Sequence, residues 1–192
     1  MKTALISVYN KKGIVKLARY LIKEGYEILA TSGTSKYLKS KEIANQEISK
    51  YIEKPEILGG RVKTLDYKIF AGILVRKEEE EEEEELQIKK IKRISLVVVN
   101  LYPFEQIARK ENDINKIIEN IDIGGVALLR AAAKNFQNTI VLPAPEFYDE
   151  FIKKKGEYDF SYRKKLAIET FKITANYDKI IFNKLKKIKE VE

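Results

Sequence analysis

The amino-acid sequence predicts an α/β fold in three layers, with a mostly parallel sheet flanked by helices. Strand-like and helix-like segments alternate over about the first 40 residues, which is the pattern of parallel βαβ units. The apolar run Leu96–Val99, rich in β-branched residues, is typical of a strand that is buried on both faces. With 192 residues, 44% of them hydrophobic, the chain is long enough for one compact domain with a sizeable core.

The beginning of the chain predicts two strands, each followed by a helix. Ala4–Val8 is the first predicted strand, and apolar residues at helical spacing then run from Ile14 until Gly25 stops the helix. Tyr26–Ala30 is the second predicted strand. It leads directly through the turn Thr31–Ser35 into another helix.

The middle of the chain is less regular. The Gly59-Gly60 pair marks a loop, and Phe70–Val75 predicts a short strand. Residues 78–92 begin with eight consecutive glutamates, Glu78–Glu85. Glutamate favours helices and the lysines that follow offset its charge, but so many like charges could equally form a disordered surface insertion. Whether residues 78–92 form a charged helix or a surface insertion, we expect them to have no catalytic role.

The last part of the chain predicts three more helices and a strand. The helix Ile114–Ile121, and a second helix that begins after Gly124-Gly125 and runs to Lys134, precede the strand Thr139–Leu142. A long helix starts near Ser161, with apolar or half-apolar positions at Leu166, Ile173, Tyr177, Ile181, Leu185 and Ile188. Because no internal repeat or interdomain linker interrupts this pattern, residues 1–192 are predicted to form a single domain.

Composition narrows the possible chemistry. The chain has no Cys and no His, which excludes disulfides, thiolate nucleophiles and the usual neutral-pH base, and leaves acid–base chemistry to Lys, Asp, Glu or Tyr. No segment has the length and apolarity of a membrane span or the layout of a signal peptide. We therefore expect a cytoplasmic protein.

The net charge is +8, and without the eight-glutamate run the rest of the chain carries +16. A composition rich in Lys and Glu and free of Cys is common in heat-adapted proteins. Excess positive charge also suits an anionic substrate. Since no aromatic and basic RNA-binding signature accompanies the charge, nucleic acid is the weaker expectation.

Polar residues cluster after the predicted strands, where ligands of open parallel sheets bind. Ser7 and Lys11 follow the first strand, and Thr31–Thr34 follows the second. A turn rich in Gly and hydroxyl groups at a helix start can bind a phosphate through its N–H groups. It can equally be an ordinary N-cap, because Ser and Thr favour that position.

A third cluster, Gly59–Leu65, combines two glycines with two cations. The glycines let the backbone approach a ligand, and Arg61 and Lys63 would lie on one side of an extended segment. From the residues alone, a surface loop with solvated charges is the stronger interpretation.

A fourth cluster combines Asn100 and Tyr102 at a strand end with Asp122 ahead of the Gly124-Gly125 helix start. Asp122 could be a simple N-cap, or the glycine N–H groups could bind an oxyanion. Lys134 follows Asp122 by 12 residues, about 18 Å along a continuous helix. A bend or a bridging ligand would be needed to join Lys134 to Asp122.

These clusters closely resemble the IMP cyclohydrolase domain, the N-terminal part of the bifunctional enzyme that catalyses the last two steps of purine synthesis. The resemblance covers nearly the whole chain and rests on Leu5–Val8, Ala30–Thr34, Leu58–Leu65, Asn100–Phe104 and Ile121–Asn135. The third and fifth segments are long and specific, whereas the second is shared across the methylglyoxal-synthase-like fold. The resemblance therefore implies a methylglyoxal-synthase-like fold.

The resemblance implies ring closure of 5-formamidoimidazole-4-carboxamide ribotide to IMP, with loss of water and without a metal or redox cofactor. The residues implied to hold the 5′-phosphate are Ser7, Lys11, Thr31, Gly33 and Thr34. Those implied to surround the base are Arg61, Lys63, Thr64, Asn100, Asp122 and Gly125. We assign catalysis to Lys63, which would act on the carboxamide, and to three groups that would act on the developing oxyanion, Tyr102, Asp122 and Lys134.

The chain departs from the family at several places. Tyr9 and Asn10 stand where the family has small or acidic residues, and Asp66-Tyr67 replaces a His-Pro pair. The family's formyltransferase domain does not follow the segment Thr174–Asp178. The sequence could be a stand-alone enzyme or a trimmed part of a longer one. Because Lys184–Glu192 is typical of a helix end, we expect a stand-alone enzyme that receives its purine ribotide from a separate formyltransferase. The resemblance also implies a homodimer; we expect no nucleic-acid or membrane partner.

Two rival functions share this fold. Methylglyoxal synthase relies on a catalytic His, which this chain lacks. A regulatory nucleotide-binding module would need the phosphate turn but not the four catalytic candidates. Their joint presence favours catalysis.

Overall fold

The computed structural model describes residues 2–111 and 113–187. Within these ranges, five strands form one sheet in the order β3-β2-β1-β4-β5. The strands are β1 (Lys2–Val8), β2 (Tyr26–Ala30), β3 (Gln46–Glu47), β4 (Ile94–Asn100) and β5 (Ile140–Leu142). The helices are α1 (Ile14–Lys23), α2 (Ser32–Lys39), α3 (Ile48–Ile52), α4 (Tyr67–Leu74), α5 (Glu80–Ile88), α6 (Phe104–Lys110), α7 (Ile114–Glu119), α8 (Gly124–Lys134), α9 (Tyr148–Lys153) and α10 (Phe160–Leu185).

The central strands β1 and β4 are buried on both faces. Thr3–Ile6 of β1 and Leu96–Asn100 of β4 are runs of consecutive buried residues. Because side chains of a strand alternate between its two faces, other elements must cover both sides of the sheet. Helix α1 packs against β2 and α9, α8 against β4, β5 and α4, and α10 against α8 and β5. The α/β prediction is confirmed, and every strand pair is parallel.

The register of the sheet brings three strand ends to one edge. Val8 of β1 lies opposite Asn100 of β4, and Ile6 lies opposite Ala30 of β2. The backbone continues this pairing one residue beyond β2, where the Thr31 N–H donates to the Ile6 carbonyl at 3.2 Å. The polar segments that follow β1, β2 and β4 are therefore neighbours.

The prediction of a strand at Phe70–Val75 is wrong, because Phe70–Leu74 belongs to helix α4 and Val75 follows as its C-cap. The Asp66 carboxylate caps the helix by accepting a hydrogen bond from the Lys68 N–H at 2.8 Å. A short apolar run has the same pattern in a buried strand and in a buried helix. The capping Asp66 is the local signal that distinguishes them here.

The glutamate-rich segment is a helix rather than a disordered insertion, and α5 is shorter than the span 78–92. Arginines on either side of it offset the repulsion between like charges. Arg76 pairs with Glu82, and Arg93 Nη1 lies 2.9 Å from Glu83 Oε1. One apolar residue of the helix, Leu86, is buried.

Several short elements were not predicted, namely β3, α3, α6 and α9. Each has two to seven residues, too few for a periodic pattern to develop. The predicted apolar position Ile188, and the part of the predicted helix end at 188–192, lie outside the described residues. Within residues 2–111 and 113–187, no helix combines the length and apolarity that crossing a membrane requires.

Gly72 allows α4 to lie directly on the backbone that leads into β4. A Cβ at Gly72 would come 2.4 Å from the Lys92 carbonyl oxygen, so Gly72→Ala forces backbone to move. We expect this substitution to lower the free energy of unfolding by about 1–3 kcal/mol, measured by urea titration.

Gly33→Ala is the matched control for stability. Gly33 is also helical, but nothing lies within 4 Å of a Cβ added there. Its substitution should leave stability unchanged or raise it by up to about 1 kcal/mol. Equal unfolding midpoints for Gly72→Ala and the wild type would contradict the packing argument.

Candidate active site

A cleft of about 680 Å³ opens at the carboxyl edge of the sheet. Its walls come from the segments after β1, β2 and β4, the loop at residues 59–64, and the start of α8. Twelve of the thirteen predicted site residues line it, namely Ser7, Lys11, Thr31, Gly33, Thr34, Arg61, Lys63, Thr64, Asn100, Tyr102, Asp122 and Gly125. Four clusters that are distant in sequence therefore share one cavity.

Hydroxyl groups from β1 and from the start of α2 lie together in the cleft. Thr31 Oγ1 lies 3.3 Å from Ser7 Oγ and 3.4 Å from Thr34 Oγ1. Thr31 precedes α2 with an extended backbone, yet its side chain makes no capping hydrogen bond to the helix. The simple-cap interpretation of this turn therefore lacks its defining bond.

Lys11 lines the same cleft. Its ammonium group donates to the Val8 carbonyl and, at 3.1 Å, to the Tyr9 carbonyl. Partial burial lowers the pKa of Lys11. Among the described residues no carboxylate contributes to this shift, so the charge of Lys11 is available to a bound anion.

Asn100 ties the end of β4 to the loop that follows β1. Its Oδ1 accepts from the Asn10 N–H at 2.8 Å, and its Nδ2 donates to the Asn10 carbonyl at 3.0 Å. Both ends of the amide are thus bonded to one backbone unit. This geometry favours positioning of the loop over the base contact expected from the resemblance.

The loop that carries Arg61 and Lys63 is a closed turn, so the prediction of an extended segment is wrong. Ile57 and Val62 form an antiparallel bridge at its base. A 3-10 turn at Leu58–Gly60 fills the loop, with Gly59 and Gly60 at positive φ. The two glycines reverse the chain instead of extending it.

The two cations of this loop pair with different acids. Arg61 donates to Glu119 at the end of α7, in an exposed ion pair. Lys63 Nζ lies 3.5 Å from Glu56 Oε2. Neither Glu119 nor Glu56 was predicted as a site residue, because nothing in the spacing of the sequence indicates that they pair with Arg61 and Lys63.

The start of α8 is organised by Asp122. Its Oδ1 accepts from the Gly125 N–H at 2.7 Å, while its own N–H donates to the Tyr177 hydroxyl at 2.7 Å. A Cβ at Gly125 would come 2.4 Å from Asp122 Oδ2, and one at Gly124 would come 2.8 Å from Thr64 Oγ1. The glycine pair thus lets Asp122 and Thr64 approach the first turn of the helix.

Burial raises the pKa of Asp122, an effect that the Gly125 hydrogen bond and the charge of Lys63 oppose. Such a carboxyl group holds its proton to a higher pH than usual. Burial also raises the pKa of Tyr177 to about 12, so its hydroxyl stays neutral and supports the Asp122 backbone. Tyr177 was predicted only as an apolar position.

Two tyrosines form an aromatic wall of the cleft. The ring centroids of Tyr9 and Tyr102 lie 4.6 Å apart, and both side chains are about half exposed, at 50% and 48%. Tyr9 was noted in the sequence only as a departure from the family. Its position in the cleft depends on the loop after β1.

Lys134 is the one predicted catalytic residue outside the cleft. Helix α8 runs unbroken to Lys134, roughly 15 Å from its first residue, so the bend needed to return this lysine to the cleft is not there. Lys134 is exposed and borders a second, apolar groove that runs along α8, where Asp122, Arg130 and Phe171 also lie. The structure therefore separates Lys134 from Lys63.

The cleft is rich in groups that can donate hydrogen bonds or positive charge to an anion. It offers hydroxyls, ammonium groups, one guanidinium and the N-terminal ends of α2 and α8. Among the described residues, no group of three or more Asp and Glu side chains could hold a metal ion.

Two family models match the chain, and together they cover most of it. A model of the MGS-like domain matches residues 13–127, more than half of the chain. The chain belongs to the MGS-like domain family. A model of the AICARFT/IMPCHase bienzyme matches residues 132–192. The predicted fold and family resemblance are thereby confirmed.

Individual relatives are similar over nearly the whole chain. The bifunctional purine biosynthesis protein PurH of Caldicellulosiruptor bescii is 47% identical over 98% of this chain and 38% of its own length. PurH of Aquifex aeolicus is also 47% identical, over 98% of this chain and 38% of its own length. The chain thus spans less than two fifths of these curated relatives. A solved structure described as the crystal structure of ForH is similar with a TM-score of 0.83 and 33% identity, covering 96% of this chain and 98% of its own.

The raised pKa of Asp122 predicts a pH-dependent stability. The folded state releases this proton at a higher pH than the unfolded chain, whose Asp pKa is about 3.9. The Asp122 carboxyl group therefore lowers stability as the pH rises above that value. Because Asn keeps an oxygen acceptor for Gly125, we expect Asp122→Asn to gain unfolding free energy relative to the wild type from about pH 3 to about pH 7, measured by urea titration.

Asp149→Asn is a control of opposite sign. A hydrogen bond from Lys16 lowers the pKa of this exposed carboxylate, so its contribution to stability appears as the pH rises. The variant should lose relative stability over the same range. A pH-independent difference for Asp122→Asn would contradict the burial argument.

Proposed function

We propose that this chain is an IMP cyclohydrolase, which closes 5-formamidoimidazole-4-carboxamide ribotide to IMP. One observation carries the proposal. A cleft in a chain 47% identical to PurH joins a hydroxyl and lysine cluster to a second cluster of Lys63, Tyr102 and Asp122. A ribotide has a matching division into a phosphate and a reactive base.

The first cluster suits the 5′-phosphate. Its hydroxyls and the Lys11 ammonium group donate hydrogen bonds, and the positive end of the α2 dipole borders them. In the proposal the phosphate contacts Ser7, Lys11, Thr31, Gly33 and Thr34. The anchored phosphate then directs the base toward Lys63 and Asp122.

The second cluster suits the ring closure. The carboxamide nitrogen forms a bond to the formyl carbon, and the formyl oxygen leaves as water after receiving one proton from the carboxamide nitrogen and one from the formamide nitrogen. Lys63 stabilises the carboxamide oxygen as the nitrogen becomes a nucleophile. Asp122, whose pKa burial raises, protonates the departing oxygen and regains its proton from those that the two nitrogens release, and Tyr102 donates a hydrogen bond to the oxygen.

Arg61, Thr64, Asn100 and Gly125 complete the proposed base site in different ways. Arg61 must leave Glu119 to bind the base, and Thr64 fits beside the helix start. Asn100 acts through the loop that it holds. Gly125 lets the Asp122 carboxylate approach the helix.

We propose that Lys134 acts at the cleft of a second copy of the chain. It is exposed beside apolar side chains of α8 and α10, outside the cleft of its own chain. In the proposed homodimer, Lys134 of one chain lies against the cleft of the other. A cytoplasmic location and a formyltransferase that supplies the substrate, whether separate or linked, complete this proposal.

Turnover and subunit mixing test the proposed function together. The wild type should convert the formylated ribotide to IMP, followed by absorbance, and Lys63→Ala and Lys134→Ala should each lower kcat by about 10²-fold or more. Mixing these variants and allowing the subunits to exchange should restore about a quarter of wild-type activity, because half of the dimers then contain one intact site.

Other outcomes of the same experiment are decisive. Binding of the ribotide by the wild type without turnover would favour a regulatory module. Full turnover by Lys134→Ala would show that Lys134 takes no part in the reaction. Loss of activity in Lys134→Ala without recovery on mixing would contradict the contribution across the dimer.

The phosphate site predicts a difference between two adjacent lysines. Lys11→Ala should raise KM about 10- to 100-fold, the range expected for a lost hydrogen bond to a charged group, with a smaller change in kcat. Lys12→Ala is the control, because Lys12 is exposed and does not line the cleft. Similar KM values for the two variants would contradict the assignment of Lys11.

A further inference from the structure

Glu56 faces Lys63 across the base of the 57–62 loop. The Ile57 N–H donates to the Val62 carbonyl at 3.3 Å, and the Val62 N–H donates back at 3.4 Å. Glu56 and Lys63 are the next residues outward from this bridge, so they stand as cross-strand neighbours. The backbone itself therefore holds the carboxylate opposite the ammonium group, with 3.5 Å between Oε2 and Nζ.

The other carboxylate oxygen of Glu56 reaches the proposed phosphate turn. Ser32, the first residue of α2, donates its hydroxyl hydrogen bond to Glu56 Oε1. One side chain thus connects the element that begins at the phosphate site with the lysine of the reacting site. These two elements are about 30 residues apart in the chain.

Gly60 makes the approach of these groups possible. A Cβ at this position would come 2.7 Å from Lys63 Cε and 3.4 Å from Glu56 Oε2. The lysine stem therefore lies directly over the glycine backbone. Contact with Gly60 below and Glu56 beside it restricts a side chain that otherwise has many rotamers.

We propose that Glu56 is a positioning residue, which holds the Lys63 ammonium group at the cleft and connects it to the phosphate turn through Ser32. Its catalytic consequence rests on the proposed cyclohydrolase function. Glu56 acts through Lys63 and need not touch the substrate.

Glu56→Gln isolates the link to Lys63, because the amide keeps an oxygen acceptor for Ser32 but loses the charge. We expect kcat to fall about tenfold, a size typical of a displaced catalytic group, with KM within about twofold of the wild type. In a Lys63→Ala background the same substitution should change kcat by less than about twofold, since its target is gone. An equal loss with and without Lys63 overturns the proposal.

Glu53→Gln is the matched control. Glu53 precedes the same loop, is 82% exposed, and pairs with Lys68 at 3.8 Å. We expect wild-type kcat and KM. A loss as large as that of Glu56→Gln would show a general effect of removing acidic charge and would overturn the proposal.

Acylation of lysines tests the Glu56–Lys63 contact independently of turnover. The full chain is treated with an N-hydroxysuccinimide acetate, and Lys63 modification is followed by peptide mass spectrometry with exposed Lys12 as reference. Glu56→Gln should speed Lys63 modification about threefold, the size of a half-exposed ion pair, and leave Lys12 unchanged. An unchanged Lys63 rate overturns the proposal, whereas absence of IMP formation by the wild type overturns only the proposed function.

Discussion

The parallel register of β1 with β2 and β4 is the constraint on which the cleft depends. It sets Val8 beside Asn100 and Ile6 beside Ala30, so three polar segments leave the sheet at one edge. The Asn100 amide then fixes the loop after β1 by bonding both backbone groups of Asn10. A slip of one residue would turn every side chain of the strand to the opposite face and separate these groups.

The charges of the cleft are balanced by acids that lie outside the predicted motifs. Lys63 pairs with Glu56 and Arg61 with Glu119, while Lys11 is bonded to backbone carbonyls. The end of the cleft at Lys11 is therefore left with positive charge, whereas cations and carboxyl groups lie side by side at the end with Lys63.

Elements with long or distinctive patterns were predictable from the sequence. β4, α8 and α10 follow from a buried β-branched run, a glycine-led helix start and an extended apolar spacing. The segment Phe70–Val75 was not, because six apolar residues carry no period that separates strand from helix. In the Arg61–Lys63 loop, the bridge between Ile57 and Val62 overrides the alternation that an extended segment would have.

By itself the sequence determined the strand-ending motifs, and with them the residue types that a phosphate and a reactive base require. Only the tertiary structure decided which of these residues meet, because strand register and helix direction, not sequence distance, set their separations. Twelve predicted residues therefore share a cleft, while Lys134 is carried away along an unbroken α8. The same reason explains why Glu56 and Tyr177, ordinary residues in the sequence, support Lys63 and Asp122 in the fold.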